Sequence, residues 1–136
     1  MKYEHDDGGR VAAGFKGVAG DCTTRAIAIA TGRDYRVVYR TLTEMTKEMT
    51  GGLSTSVRSG CPIAVSYKYL TDSGWELHLT PKRYLIDAPT DRMIIASMHR
   101  HMAAVDHGTV RDSWDSRRDN RTKNGSPRLL GYYIKY

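Results

Sequence analysis

The spacing of hydrophobic residues changes about half-way along this sequence, from a helical period to a strand period. In the segment from Tyr35 to Met49, apolar residues recur at every third or fourth position. From Trp75 onward, apolar residues instead alternate with polar ones or form short runs, which is typical of β-strands. Helices followed by strands predict an α+β fold, in which N-terminal helices pack on a C-terminal antiparallel sheet.

Three helices are predicted in the first half, each bounded by recognisable start and stop residues. Aspartate is favoured at a helix N-cap and proline in the first turn, and glycine commonly ends a helix. The start signals are Asp21, Asp34 and Pro62, and the stop signals are Gly32, Gly51, Gly52 and Gly74. The predicted helices cover residues 22–31, 35–49 and 62–73. The third helix is expected to use Ile63, Tyr67 and Leu70 as its apolar face.

The second half of the sequence predicts five strands. Trp75, Leu77 and Leu79 alternate with polar residues, which indicates a half-buried strand. Four further strands are predicted over residues 93–98, 101–106, 109–114 and 131–136. Residues 1–19 are predicted to form an extended arm, and residues 116–128 a basic loop.

Length and composition favour a single domain over residues 1–136. Of the 136 residues, 40% are apolar and 9% aromatic, which is ordinary for a globular domain that buries its own core. No apolar run approaches the roughly 20 residues needed to cross a bilayer, so no membrane association is expected. The sequence begins with polar and acidic residues that do not resemble a signal peptide, and a cytoplasmic location is therefore expected.

A cluster of basic residues lies near the end of this chain, whose net charge is +6. The cluster contains one acid, Asp119, and five bases: Arg117, Arg118, Arg121, Lys123 and Arg128. Such a cluster can contact phosphates or an acidic protein surface. The same stretch also contains Asn, Gly, Ser and Pro, which is equally typical of a solvated loop.

Cys22 is one of two cysteines, and it occupies the first position of the first predicted helix. Unpaired backbone N–H groups and the helix dipole favour negative charge there, which lowers the pKa of a thiol and favours the reactive thiolate. A buried, unreactive cysteine is the alternative interpretation. Two cysteines are too few for a zinc site of paired CxxC motifs, and a disulfide with Cys61 is not expected in a reducing compartment.

Among the five histidines, only His101 begins a predicted strand that is followed by a hairpin carrying carboxylates. If the turn after Asp106 has two residues, Asp112 lies diagonally across from His101, roughly 7–8 Å away at the backbone. A carboxylate there could hold the imidazole in one tautomer and leave its other nitrogen for a thiol. A three-residue turn would exchange the two faces and put Asp115 in that place.

Three segments of the sequence resemble a known family. They are residues 20–28 (GDCTTRAIA), 101–108 (HMAAVDHG) and 110–115 (VRDSWD). Together they resemble small papain-like cysteine peptidase domains, of the short kind found in bacteriophage and bacterial genomes. The resemblance spans about residues 18–115 and the closing strand at 131–133. It implies a cytoplasmic location, which would be the bacterial host cytoplasm if the gene belongs to a phage.

The resemblance also implies a fold and a mechanism, with no cofactor and no metal. A helix that carries Cys22 as nucleophile would pack against a sheet that carries His101 as general base and acid. Asp112 would be the orienting carboxylate, and acyl transfer from a peptide or protein substrate would pass through a thioester. The family usually places glutamine or asparagine before the cysteine as an oxyanion donor, but this sequence contains no glutamine. The Cys22 backbone N–H is therefore the first candidate donor, and Lys16 and Thr23 are candidates for a second.

The leading hypothesis is a papain-like cysteine peptidase or related thiol hydrolase that cleaves a peptide, isopeptide or similar acyl bond. The first alternative is a catalytically weak or inactive papain-like binding module, which contacts nucleic acid or a host protein through its basic loop. The second alternative is a hydrolytic metal site at His99 and His101, completed by an aspartate and a water. No other feature of the sequence supports that metal site.

Overall fold

In the computed structural model, which describes residues 1–17 and 19–136, three α-helices pack on a six-stranded mixed sheet. The helices are α1 (Cys22–Thr31), α2 (Tyr35–Met49) and α3 (Ile63–Asp72). The strands are β1 (Lys2–His5), β2 (Glu76–Tyr84), β3 (Met93–Met98), β4 (His101–Asp106), β5 (Thr109–Asp112) and β6 (Arg128–Ile134). Their order across the sheet is β1-β5-β4-β3-β6-β2. The prediction of an α+β fold is confirmed.

The first two helices begin and end where the capping signals predict. Gly32 adopts a left-handed conformation with φ of 70° and closes α1 by donating its N–H to the carbonyl oxygen of Ala28. The Asp34 side chain accepts a hydrogen bond of 3.2 Å from the N–H of Val37, as an N-cap residue should. These local signals fix the end of the helix that carries Cys22 and the start of the helix that follows it.

The predicted apolar face of α3 is confirmed for Leu70 and wrong for Ile63 and Tyr67. Ile63 is 79% exposed and Tyr67 is 48% exposed, whereas Val65, Tyr69 and Leu70 are buried. Apolar residues occur on every side of this ten-residue helix, so its sequence does not define a single buried face. Packing against α2 and β2 selects the face, and it leaves Ile63 facing outward.

The prediction of a wholly antiparallel sheet is wrong at one edge. β1 runs parallel to β5, with Lys2 opposite Thr109 and His5 opposite Asp112. The N-terminal segment, for which only an extended arm was expected, therefore contributes an edge strand. The alternation predicted around Leu79 also fails, because that side chain is 74% exposed beside an irregularity in the pairing of β2 with β6.

The β4–β5 hairpin has the two-residue turn that places Asp112 near His101. Asp106 pairs with Thr109, and both turn residues, His107 and Gly108, have positive φ. Positive φ at both central positions is the requirement of a tight hairpin turn. β5 ends at Asp112, two residues earlier than predicted, and this puts the carboxylate at the end of the strand.

Apolar residues are buried on both faces of the sheet. The core that includes the helices contains Ile27, Val38, Leu42, Leu70, Ile95, Met102 and Tyr133. The second core contains Leu85, Ile94, Val105, Val110 and Leu129. α1 packs directly against β4, and the first residue of that helix and the first residue of that strand line the same cleft. None of the helices in the described part of the chain has the length and apolar character needed to span a bilayer.

Gly131 lies where β6 is squeezed between its two neighbouring strands. A Cβ atom at this position would lie 2.7 Å from the carbonyl oxygen of His78, which is far inside van der Waals contact. We expect Gly131→Ala to lower the free energy of unfolding by about 1–3 kcal/mol, because a backbone group must move to admit the methyl group. Urea unfolding measures the change. Leu130→Ala, at a half-exposed neighbouring side chain, is the control and should cost less than about 0.5 kcal/mol.

Candidate active site

The side chains of Cys22 and His101 meet where the start of α1 faces the start of β4. Both side chains line one cleft with Met102, and the interactions of the sulfur with the His101 side chain and the Met102 backbone N–H lower the pKa of the Cys22 thiol. Cys22 is partly exposed, and the side chain of His101 is 13% exposed. The first residue of a helix thus supplies a thiol to an imidazole at the first residue of a strand.

A buried carboxylate holds the far side of the imidazole. Asp112 Oδ2 lies 2.6 Å from His101 Nε2 and also accepts a 2.8 Å hydrogen bond from the Ser116 hydroxyl. The other oxygen, Oδ1, accepts a 2.7 Å bond from the backbone N–H of Ser113. Because Asp112 occupies Nε2, the ring nitrogen that remains for Cys22 is Nδ1. The pairing predicted for His101 and Asp112 is therefore present.

The protonation of the three groups favours a thiolate–imidazolium pair. Burial is the largest single effect and would raise the pKa of the Cys22 thiol. The hydrogen bond and charge of His101, the Met102 N–H and the charge of Arg25 together outweigh burial and lower that pKa below its ordinary 9.0. Burial would lower the pKa of His101, but Asp112 and the Cys22 sulfur together raise it to about 9. Burial would raise the pKa of Asp112, but the hydrogen bond and charge of His101 and the hydrogen bonds from Ser116 and Ser113 together lower it. All three shifts favour the thiolate–imidazolium form of the pair over the neutral form.

The alternative orienting residue, Asp115, lies elsewhere. Its two carboxylate oxygens each accept a 2.8 Å bond from the Arg117 guanidinium, and this pairing lowers the pKa of Asp115 to about 2. The three-residue turn that would have brought it to His101 is not formed. The neighbouring Trp114, which the sequence did not single out, places its ring 4.8 Å from the imidazole and covers one face of it.

A buried charge network behind the site was also missed in the sequence. Arg25 bonds to Asp21, and its other terminal nitrogen lies 3.6 Å from Asp112 Oδ1. Asp21 also accepts from the Tyr35 hydroxyl and lies 3.3 Å from Arg10 Nε. A lone arginine four residues after an aspartate, within an otherwise apolar helix, was the sequence signal for this pair.

Asp21 occupies the N-cap position of α1, as predicted, but its side chain makes no capping hydrogen bond among the described residues. Its carboxylate points instead into the Arg25 network. The first backbone N–H groups of a helix have no intrahelical partner. The end of α1 at Cys22 therefore keeps backbone donors that the Asp21 side chain does not occupy.

Cys22 and His101 open into a cleft of about 640 Å³. Thr23 also lines the cleft, as a candidate oxyanion donor should, whereas Lys16 is not among the lining residues. The Lys16 carbonyl oxygen accepts hydrogen bonds from Arg10 and Arg58, at 3.0 and 2.7 Å. The geometry thus favours Thr23 and the Cys22 backbone over Lys16 as the donors nearest to a bound substrate.

The second cysteine, Cys61, lines the same cleft but has the opposite acidity. Burial, with a smaller contribution from the nearby Cys22, raises the pKa of its thiol to about 12. Both cysteines are free. One cleft therefore contains two thiols, of which Cys22 has a lowered pKa and Cys61 a raised pKa.

The five basic residues of the 116–128 segment do not form a uniform surface. Arg117 is bound to Asp115 and the carbonyl oxygen of Met1, and Arg121 is bound to Asp119. Arg118, Arg121 and Arg128 line a cavity, and Lys123 is exposed.

His99 lines the cleft on the turn before β4. Over residues 1–17 and 19–136, no group of three or more histidine, cysteine or acidic side chains is arranged to hold a metal ion. The described residues therefore do not form the metal site that was the second alternative for His99 and His101.

Comparison of this chain with protein-family models, with curated proteins and with solved structures gives no match. The class to which it can be assigned follows from its own geometry. It is an α+β domain in which a histidine interacts with a cysteine on one side and with an aspartate on the other, at one end of the sheet.

Proposed function

We propose that this protein is a papain-like cysteine peptidase or related thiol hydrolase, which cleaves a peptide, isopeptide or similar acyl bond. The observation that carries the proposal is the placement of His101 between Cys22 and Asp112 beside an open cleft. A nucleophile, a base within hydrogen-bond reach and a third group that orients the base are the requirements of covalent acyl transfer.

In the acylation step, the Cys22 thiolate attacks the carbonyl carbon of the scissile bond and forms a C–S bond. The carbonyl π electrons move to the oxygen, which becomes an oxyanion near the N-terminus of α1. The tetrahedral species then collapses, the C–N or C–O bond breaks, and the leaving group takes the proton from His101 Nδ1. Asp112 keeps the His101 ring in position while the ring changes from imidazolium to neutral imidazole.

In the deacylation step, neutral His101 takes a proton from water, and the resulting hydroxide attacks the thioester carbonyl. Cys22 leaves as thiolate, the carboxylic acid product departs, and the ion pair is restored. The Cys22 backbone N–H and the first turn of α1 are the donors we assign to the oxyanion, with Thr23 beside them. The helix dipole adds to their effect, because it favours negative charge at this end.

Alkylation by iodoacetamide tests the central element of this proposal, since it reports the thiolate directly. We expect Cys22 to react at least about 30-fold faster than Cys61 at pH 7. The pKa of Cys22 lies below 9.0 and that of Cys61 at about 12, so their thiolate fractions differ at least 10³-fold. The more acidic thiolate is also the weaker nucleophile. With a Brønsted coefficient near 0.5, this reduces the expected difference in rate by about 30-fold, to about 30-fold.

The measurement is site-resolved mass spectrometry of the labelled protein as a function of pH. The rate at Cys22 should rise with a midpoint below 9.0, and turnover of acyl substrates should be lost in parallel with labelling. Cys61→Ser serves as the control, because it removes the other thiol, and labelling at Cys22 should keep its midpoint below 9.0. Equal, slow labelling of the two cysteines would contradict the proposal.

A further inference from the structure

The cleft at Cys22 adjoins a second cavity of about 280 Å³ on the far side of the catalytic histidine. The two spaces share four lining residues, and the ring of Trp114 and the imidazole of His101 stand between them. The shared residues are Met98, His99, His101 and Trp114. A bound chain that passes through the cleft at Cys22 can therefore extend directly into the second cavity.

Three arginines line this second cavity, and only one of them has an anionic partner. Arg121 makes two bonds of 2.9 Å with Asp119, which is the only acidic residue of the lining. Within the described residues, Arg118 and Arg128 make no side-chain hydrogen bond and no ion pair within 4.0 Å. The nearby Asp115 is already bound to Arg117. Among the described residues, the cavity thus presents two guanidinium groups that form no ion pair, although the charge of Asp115 acts on Arg118 at longer range.

The part of the cleft around Cys22 has a more apolar lining, although it also contains Arg25 and the exposed Arg100. Ile63 is 79% exposed and Leu130 is 50% exposed, and both line this part but not the second cavity. Exposed aliphatic side chains that border a cleft are typical of a surface that binds an apolar group. A partly apolar region and a cationic region therefore adjoin each other at the catalytic pair.

Resting on the proposed thiol hydrolase function, we propose that the substrate is an acidic peptide. An aspartate or glutamate residue within a few positions of the scissile bond would place its carboxylate between Arg118 and Arg128. A neighbouring apolar side chain would lie against Ile63 and Leu130. Guanidinium groups bind carboxylates through paired, charge-assisted hydrogen bonds, which are stronger and more directional than those of an ammonium group.

A peptide fits these observations better than a nucleic acid does. The reaction we assign to Cys22 needs an acyl group, which the nucleic-acid backbone lacks. Sites for single-stranded nucleic acid also carry several aromatic side chains on which successive bases stack. The second cavity has one aromatic side chain among its lining residues, Trp114, and that ring already packs on the catalytic imidazole.

Peptide binding to the Cys22→Ala protein tests this specificity without any need for turnover. The probes are end-blocked, fluorescently labelled heptapeptides of alanine and glycine with one leucine, in which glutamate or glutamine is placed at each position in turn. In at least one position the glutamate peptide should bind about 10-fold more tightly than its glutamine twin. The difference should fall steeply between low and 0.3 M salt, because screening weakens partly exposed ion pairs.

The preference for glutamate should disappear in Arg118→Gln/Arg128→Gln, while binding of the glutamine peptides stays the same. Arg40→Gln/Arg83→Gln is the matched control, since it removes the same charge from exposed residues that line neither cavity. Equal binding of the twins at every position, no binding of either, or a preference that survives in the double variant would overturn the inference. So would displacement of the peptide by an oligonucleotide that binds more tightly.

These outcomes are distinguishable from failure of the proposed function. Iodoacetamide labelling of wild-type Cys22 judges the thiolate and involves neither Arg118 nor Arg128. Fast labelling with no glutamate preference would overturn only the acidic-peptide specificity. A glutamate preference without an activated thiol would leave an acidic-peptide site on a protein that is not a thiol hydrolase.

Discussion

His101→Ala should reduce turnover of an acyl substrate on the order of 10³-fold, the largest catalytic loss we expect apart from removal of the nucleophile. Two effects combine. The leaving group loses its proton donor, and the hydrogen bond that lowers the pKa of Cys22 is removed while the burial that raises it remains. Alkylation of Cys22 at pH 7 should therefore slow as well. Steady-state kinetics and the pH dependence of labelling measure the two effects separately.

The matched control is His107→Asn, in the turn of the same hairpin. His107 is exposed, bonds to Asp106 and has φ of 49°, a conformation that asparagine tolerates well. Its substitution should leave turnover within about two-fold of wild type, because surface changes away from a site have small effects. If His101→Ala labelled at the wild-type rate, with the same midpoint, the imidazole would not be the group that activates Cys22.

The elements that position these residues could be predicted because their signals are local. Gly32 ends α1 in a left-handed conformation, and Asp34 caps α2 through its side chain. The His107-Gly108 turn sets the register of the β4–β5 hairpin and, with it, the choice of Asp112 over Asp115. Each of these depends on two to four consecutive residues, within which backbone geometry and hydrogen bonding leave few alternatives.

The features that could not be predicted depend on contacts distant in sequence. β1 is four residues long and has no apolar alternation, and its partner is a strand more than 100 residues away. The exposure of Ile63 is decided by the elements on which α3 packs. The acidity of Cys61 likewise follows from burial in the assembled cleft, so the sequence showed only an unpaired cysteine.

Asp21 shows how a local rule and a tertiary contact can compete for one side chain. The sequence favours it as a helix cap, and its backbone takes that position, but its carboxylate is 2% exposed and binds Arg25, Arg10 and Tyr35. Arg25 then approaches Asp112, so the network connects the capping position with the residue that orients His101. A buried arginine without a counter-charge lowers the stability of the fold by more than the loss of a helix cap does. The carboxylate therefore pairs with Arg25 and not with the helix end.

We therefore expect Asp21→Ala to lower the free energy of unfolding by about 3–5 kcal/mol, because it leaves the buried charge of Arg25 without its closest partner. Asp34→Ala is the matched control, since Asp34 is also an N-cap aspartate but is exposed and bonds only to its own helix. Its loss should cost about 1 kcal/mol. Urea unfolding of the two variants compares them directly.

Tyr35→Phe keeps the prediction testable if Asp21→Ala does not fold. It removes one hydroxyl donor from the Asp21 carboxylate and preserves the ring that packs on Phe15, so it should cost about 1–3 kcal/mol. Should Asp21→Ala cost no more than Asp34→Ala, the carboxylate would be acting as an ordinary cap and the buried network would contribute little. If Asp21→Ala lowers the free energy of unfolding much more than Asp34→Ala does, the stability of the site depends on the ion pair between Asp21 and Arg25. Helix capping alone would not produce that difference.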